Sequence, residues 1–470
     1  MPVSFDTLEY TASGALEPVQ LGYDGDENRG WTITRNGSRW LELGAGYRLM
    51  RSAACGVCST DLARRFLPFP LPQVTGHEVI ALDDNGDRFA IDINASHRAR
   101  QIETDCPFCR SGLANHCPDR LVLGIHDLPG GFAPWFLSPV GALRRIPSSV
   151  PTDNAVLIEP LAAALNAVQS IEIREGDRVA VLGPRKLGML VVATLAEHRR
   201  RTNLDFSIAA LARRPDLLQL ARSLGADTSL DVSGEQPESQ FEVVIDCSGS
   251  PAGLETALAA ATREVHLKST NGQPAAGVEQ LTEFVVDELA LEMLSVNAVE
   301  QLSPAAGRVA GVVAWTARSE PPSWVSESAA VIRTRSVAEL AESLRNQPPN
   351  GLPKADAVVV DSREELVQAI RPSGFGAYSP VRPTGTIFYA GRAPEGVSLL
   401  QHLQQKKLRL SSSRCGDFDA AIDLLTSDDA LRDLGAQMIT HCFPAERLAD
   451  AFEAAAAKDC VKAVVTHETP

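Results

Sequence analysis

RVAVLGPRKLG, residues 178–188, is the stretch from which the fold can be read. Arg178–Leu182 is a short apolar run of strand length. Gly183 and Gly188 bracket a turn, and a helical pattern runs from about Leu187 to His198. Downstream, SIAAL (207–211) reads as a second strand. Pro215 opens a helix that stops at Gly225, with proline near the start and glycine just past the end, as helix chemistry prefers. FEVVI (241–245) is a third strand and Pro251–Thr262 a third helix. Strands alternating with helices imply a parallel sheet with right-handed crossovers.

Upstream, residues 1–150 are rich in Gly, Pro and short apolar stretches, which predicts an irregular β-rich domain. AVLIEPLAAALNAVQS, beginning at Ala155, has the apolar spacing of a helix. Further on, AVVVD (357–361), EELVQAI and GTIFY (385–389) form another strand-helix-strand passage. LTEFVVDELALEMLSVN (281–297) and LLQHLQQKKLRLSSSRC (399–415) share a pattern, so a partial internal repeat is expected, set against the alternative that any two such units look alike. RSEPPSW and NQPPNGLP (346–353) mark surface loops around it. The end of the chain reads as a helix (AERLADAFEAAAA) and a strand (VKAVVT).

With 470 residues the chain is long enough for two or three domains. Its 59 Asp+Glu against 44 Lys+Arg leave a net charge of -15, which argues against nucleic acid or an anionic membrane as the main partner. No apolar run approaches transmembrane length, and MPVSFDTLEYTASG lacks the order of a signal peptide, so a cytoplasmic protein is expected. Nine cysteines in such a chain do not suggest a disulfide framework. Five of them fall between 55 and 117, which points to metal.

Cys58 in CGVCSTDL, His77 in GHE and Glu159 in IEPLAAAL offer thiolate, imidazole and carboxylate, the donors that a catalytic Zn²⁺ takes while keeping one position open. The Thr60 hydroxyl, two residues past the thiolate, is placed to relay a proton. A second set, Glu103, Cys106, Cys109 and Cys117, has spacing that can close a tetrahedral structural zinc site. Gly183-Pro184-Arg185-Lys186-Leu187-Gly188 is a strand-to-helix turn of the kind that holds a pyrophosphate, although Arg185 stands where the fingerprint wants glycine. Arg213 and Arg214 follow the second strand where a carboxylate would hold a ribose hydroxyl, which favours NADP over NAD.

In this order, GVCSTDL, GHE, ETDCPFCRSGLANHC, LPGGFAPW, EPLAAAL, VAVLGPRKLG, ARRPDLLQLARSLGAD and FEVVIDCSGSPAGLETAL resemble the zinc-dependent medium-chain dehydrogenase/reductase superfamily, nearest the branch with sorbitol, threonine and glucose dehydrogenases. The resemblance covers about 45–296 and returns at about 409–470. It implies an α/β protein: a GroES-like β-rich catalytic domain over 1–162, completed by 415–470, and a Rossmann doubly wound parallel sheet over 163–414. That sheet would carry an extra βα insertion at about 297–405, without counterpart in an ordinary member. It places the catalytic zinc on Cys58 and His77, with Glu78 or Glu159 as third ligand, and the proton relay on Thr60. The structural lobe falls on Glu103, Cys106, Cys109 and Cys117, with glutamate where the family usually has cysteine. The coenzyme turn falls on Gly183 and Gly188.

The function so implied is zinc-dependent, NAD(P)-linked interconversion of an alcohol (a polyol, sugar or secondary alcohol) and its carbonyl compound. Three departures, Arg185, a trimmed connection after GHE and the large insertion, support a rival reading as a degenerate homologue kept for binding or scaffolding. A zinc-free quinone or enoyl reductase is a third reading, which both zinc clusters oppose. In this family the edge next to the insertion often pairs with a second subunit, so the insertion is expected to cap that edge and remove the usual dimer contact, and it leaves the oligomeric state open.

Overall fold

In a computed structural model of the chain, residues 2–234, 236–294, 310–371 and 379–467 are described. Residues 295–297 of the repeat segment, and the beginning of the 297–405 insertion, lie outside them. The fold divides into two compact units. One is Met1–Leu165 with Cys415–Pro470, and the other is Asn166–Arg414.

The first unit is built around the strand Tyr47–Gly56. It pairs antiparallel with Glu78–Leu82, with Trp135–Pro139 and with Lys462–Thr466 near the C-terminus. Its core gathers Tyr47, Met50, Phe136, Leu137 and Val465. A four-stranded antiparallel sheet, Val3–Tyr10, Leu16–Asp26, Gly30–Arg35 and Ser38–Leu43, precedes it. The late helix Leu448–Ala456 buries Leu448, Ala451, Phe452 and Ala455. That spacing is one helical face, so the C-terminal segment docks because its apolar stripe has a core to cover. Lys462 then reaches back to pair with Glu78. Both side chains are 2% exposed. Burial opposes the Lys462 charge, but Glu78, together with the Cys58 and Glu159 charges, more than offsets it and holds the ammonium above its ordinary range.

Among the described residues the second unit carries one sheet. Its strands are β1 (Arg178–Leu182), β2 (Ser207–Ala212), β3 (Thr228–Asp231), β4 (Phe241–Asp246), β5 (Ala261–Leu267), β6 (Ala290–Met293), β7 (Gly311–Trp315), β8 (Ala329–Arg333), β9 (Ala355–Val360), β10 (Val381–Tyr389) and β11 (Arg409–Ser412). Among the described residues the order is β3-β2-β1-β4-β5-β11-β6-β10-β9-β7-β8. The helices are α1 (Lys186–Thr202), α2 (Pro215–Ser223), α3 (Pro251–Ala260), α4 (Leu281–Val286), α5 (Ser323–Ser328), α6 (Val337–Asn346), α7 (Arg363–Ile370) and α8 (Ser398–Lys406). The central strands read as continuous apolar runs, such as VVI in β4 and VVV in β9, because both faces are covered. The sheet is parallel from β3 to β11 and again from β6 to β8, but β6 meets β11 antiparallel. The expected extra unit is larger than one strand-helix-strand passage: β7 to β10 all fall in 297–405. The extended sheet does continue past β11.

Lys462→Met would strand the Glu78 carboxylate in the core. Breaking a buried pair in this way costs about 3–5 kcal/mol. Calorimetry should show a lowered unfolding midpoint, and an unchanged midpoint would contradict this account of the C-terminal strand.

Candidate functional site

The strand Tyr47–Gly56 delivers Cys58 to the start of the short helix Ser59–Ala63, and a turn through Gly76, at φ +101°, delivers His77. Ligand atoms of Cys58, His77 and Glu78 lie within 4.8 Å of one another. Asp61 ties them together. Fully buried, it accepts from the Cys58 N–H at 2.8 Å and the Gly76 N–H at 3.2 Å, and it lies 3.5 Å from His77 Nδ1. Burial alone would raise the Asp61 pKa, yet the His77 ring and these N–H donors hold it low. A carboxylate behind a histidine fixes the ring and leaves Nε2 for a ligand, as metal sites commonly arrange. Gly56 provides the room: a Cβ there would stand 2.2 Å from Glu78 Oε2 and 2.7 Å from Lys462 Cε.

The expected site residues are therefore only partly drawn together. Glu159 sits in the first turn of the helix Ile158–Gln169, half-buried, outside the tight group, although its charge acts on Lys462. Thr60 lies on the short helix, two residues past Cys58. Asp61, Lys462 and Gly56 were not singled out from sequence. Asp61 stands in plain view in CSTDL, but its role depends on a turn from another part of the chain.

The second donor group corrects the sequence reading. His97, Cys106, Cys109 and Cys117 come together, and Glu103 is exposed and outside the group. His97 Nδ1 is 3.3 Å from Cys117 Sγ and 3.8 Å from Cys109 Sγ, and Cys106 Sγ is 3.8 Å from Cys117 Sγ. Three thiols and an imidazole are a tetrahedral zinc donor set. Spacing favoured Glu103 because it sits three residues before Cys106. His97 was missed because a turn at 97–101, in which Ser96 Oγ accepts from the Ala99 N–H, folds it back over the cysteines.

In the second unit, Gly183 adopts φ +75°, and a Cβ would come within 2.8 Å of the Ser248 Cα. A Cβ on Gly188 would meet the Gly183 carbonyl at 2.8 Å. These two glycines let the turn approach its neighbours closely, whereas Arg185, half-exposed at the start of α1, occupies the place between them. Lys186 is buried and Leu187 half-buried. Arg214 pairs with Asp216, while Arg213 is exposed at the end of β2. Asp246, at the end of β4, is fully buried. It accepts from the Ser248 N–H, and burial pushes its pKa up to about 6. It lines a small pocket with Ser250, Ser269, Thr270 and Asn271.

A β-rich unit carrying a Cys-His-Glu group and a lobe of three cysteines, and a parallel-sheet unit with a glycine turn, are the two parts that the resemblance to medium-chain dehydrogenases implies. Comparison agrees. The alcohol dehydrogenase GroES-like domain family matches residues 44–148. A sorbitol dehydrogenase from Halalkalibacterium halodurans is 28% identical over 227 residues, 46% of this chain and 65% of its own. An erythritol/L-threitol dehydrogenase from Mycolicibacterium smegmatis is 29% identical over 227 residues, 43% of this chain and 60% of its own. The chain thus spans less than two thirds of either relative. The structure of L-idonate 5-dehydrogenase from Escherichia coli aligns over 99% of both chains at a TM-score of 0.56 and 16% identity. An NADP-bound zinc-binding dehydrogenase, described as putative, from Sinorhizobium meliloti aligns over 99% of both at 0.54 and 17%. Residues 44–148 thus match the alcohol dehydrogenase GroES-like domain family, and the chain as a whole is similar in fold to zinc-type medium-chain dehydrogenases.

Two tests follow. His97→Ala should lose the metal bound at the cysteine lobe, measured as metal per chain, while Glu103→Gln keeps it. The opposite result would restore Glu103. For Asp246, a folded pKa raised to about 6 means that the ionised form burdens the fold. The burden is absent below about pH 3, grows as pH rises from there towards 6, and reaches roughly 3 kcal/mol above that. The unfolding midpoint of Asp246→Asn relative to the parent should therefore shift in the variant's favour between pH 4 and 7. A pH-independent difference would contradict the assignment.

Proposed function

We propose that the chain is a zinc-dependent, NAD(P)-linked oxidoreductase that interconverts an alcohol (a polyol, sugar or other secondary alcohol) and its carbonyl compound by hydride transfer. The observation that carries this reading is the convergence of Cys58, His77 and Glu78 over the buried Asp61. The donor set fits a catalytic zinc: a thiolate, an imidazole backed by a carboxylate, and Glu78 or Glu159 as the third ligand. Zinc held there would supply Lewis acidity that lowers the pKa of a bound hydroxyl. The nicotinamide would supply or accept the hydride.

The remaining work belongs to the chain. Asp61 holds the Cys58 loop and the His77 ring in fixed relation. Lys462 neutralises Glu78, so the group does not gather three uncompensated negative charges from Cys58, Glu78 and Glu159. Thr60 hands the substrate proton towards solvent. In the second unit, the backbone from Gly183 to Gly188, with Arg185, Lys186 and Leu187, cradles the pyrophosphate. Arg213 carries the preference for a 2′-phosphate, since Asp216 already engages Arg214. The His97, Cys106, Cys109 and Cys117 lobe takes a structural zinc.

The polyol and threonine dehydrogenase relatives support the alcohol reading and leave the substrate open. A panel of polyols and secondary alcohols, assayed with NADP and NAD by nicotinamide absorbance, should reveal turnover that Cys58→Ser lowers at least a thousandfold. Arg213→Ala should weaken NADPH about tenfold and leave NADH unchanged, about 1.4 kcal/mol. Turnover indifferent to Cys58→Ser would refute the zinc reading. Saturable binding of neither nucleotide would move the assignment to a binding or scaffolding protein, with Arg185 closing the turn.

A further inference from the structure

The sheet of the second unit holds two copies of one pattern. In chain order the first copy runs β1-α1-β2-α2-β3-β4-α3-β5-α4-β6. The second runs β7-α5-β8-α6-β9-α7-β10-α8-β11, with the short turn Pro349–Gly351 where the first has β3. Moving outward from the centre on one side, the strands are β11, β5, β4, β1 and β2. On the other they are β6, β10, β9, β7 and β8. Position for position these agree, and the agreement extends to detail. The β4–β5 pairing slips register between Phe241 and Val243, and the β9–β10 pairing slips between Ala355 and Ala357. A serine caps each following helix: Ser250 accepts from the Gly253 N–H and Ser362 from the Glu365 N–H.

The closing strands are exchanged. β6 ends the first copy but lies beside β10 of the second. β11 ends the second copy but lies beside β5 of the first. They meet antiparallel at the centre, and Arg409 sits at that junction. On β11 it stands directly opposite Glu264 of β5 and Glu292 of β6, at 2.7 Å and 3.2 Å, and both glutamates are buried. Ser411 Oγ donates to the same Glu264, and His266 Nδ1 lies 2.8 Å from Ser411 Oγ. A slip of one residue would turn Arg409 to the other face and leave both carboxylates buried without it. Buried charge of this kind specifies register better than it adds stability.

The copies differ at the turn after their first strand. The first has Gly183 and Gly188. The second has TARSEPP (316–322), without glycine. That turn is tied shut: the Arg318 N–H and Nε donate to Asp361 Oδ2 at 2.9 Å and 3.1 Å, and Trp315 Nε1 donates to the Ser319 carbonyl at 2.7 Å. Backbone held in this way, without glycine, offers no close approach to a phosphate.

We propose that β6 to β10 form a built-in second half-sheet, a degenerate copy strand-exchanged with the first, which occupies the β11 edge where a second copy of this chain would otherwise pair. The protein then carries one dinucleotide site per chain. The site count rests on the cofactor reading above; the exchange does not.

Two cysteine pairs test the exchange in the full-length protein. Leu267 and Ser412 are direct neighbours on β5 and β11. Leu267→Cys with Ser412→Cys should close a disulfide within one chain, read by peptide mass mapping, whereas Leu267→Cys with Met293→Cys should stay reduced. The reverse pattern overturns the exchange, and a 267–412 bond joining two chains overturns the built-in edge. Should the paired variants fail to fold, the unaltered protein decides. Hydrogen exchange at 409–412 should be equally slow at 1 and 100 µM, and protection lost on dilution overturns the proposal. A nucleotide titration that finds two NADPH per chain overturns the single site. One that finds none defeats the cofactor reading while the cysteine pairs still decide the exchange.

Discussion

The ion pair between Lys462 and Glu78 is the constraint on which the first unit depends. It joins a strand near the end of the chain to the residue beside His77, in space that only Gly56 leaves open. Two charges that are 2% exposed are tolerable only together. The C-terminal strand therefore cannot lie in another register without stranding Glu78. With that strand in place, Tyr47–Gly56 has all its neighbours, and Cys58 emerges at a fixed point. Asp61 then does locally what Lys462 does at long range, holding the Cys58 loop to the turn at Gly76.

The second unit is governed by a comparable device at its centre. A parallel half-sheet ending at β11 would present a row of unpaired backbone groups, and such edges invite pairing. Here β6 covers the edge, and Arg409 between Glu264 and Glu292 fixes how. In both units a long-range buried pair sets register, while ordinary apolar packing supplies most of the stability. In the first unit the Cys58, His77 and Glu78 group lies at strand ends and turns beside the first of these pairs.

Much of this was legible in the sequence where periodicity and turn residues agreed. The strands at 178–182, 207–211 and 241–245 and the helices after them could be read from apolar runs punctuated by Gly and Pro. Cys58 and His77 are weak signals singly and could be read only from the ordered run of motifs around them. The second copy was glimpsed as a partial repeat from AVVVD and GTIFY, but its extent was hidden. No glycine turn follows β7, and β8 is an edge strand without a buried apolar run. Strand exchange could not be read at all, because local pattern does not say which parallel neighbour a strand will choose. His97 was missed for a related reason: ligand spacing measures distance along the chain, and a tight turn had changed it. Nothing in VKAVVT marks Lys462 as buried, because its partner Glu78 lies 384 residues away in the chain.

The account stands or falls on whether metal occupies the two donor groups as described. Anomalous scattering from crystals of the zinc-loaded protein, recorded across the zinc edge, tests this directly. The account predicts two peaks per chain. One should be bounded by Cys58, His77 and a glutamate, and the other by His97, Cys106, Cys109 and Cys117. A crystal with the cysteine lobe filled but no zinc peak at Cys58 and His77 would contradict it, and would leave the dehydrogenase fold without the centre its residues are arranged to hold.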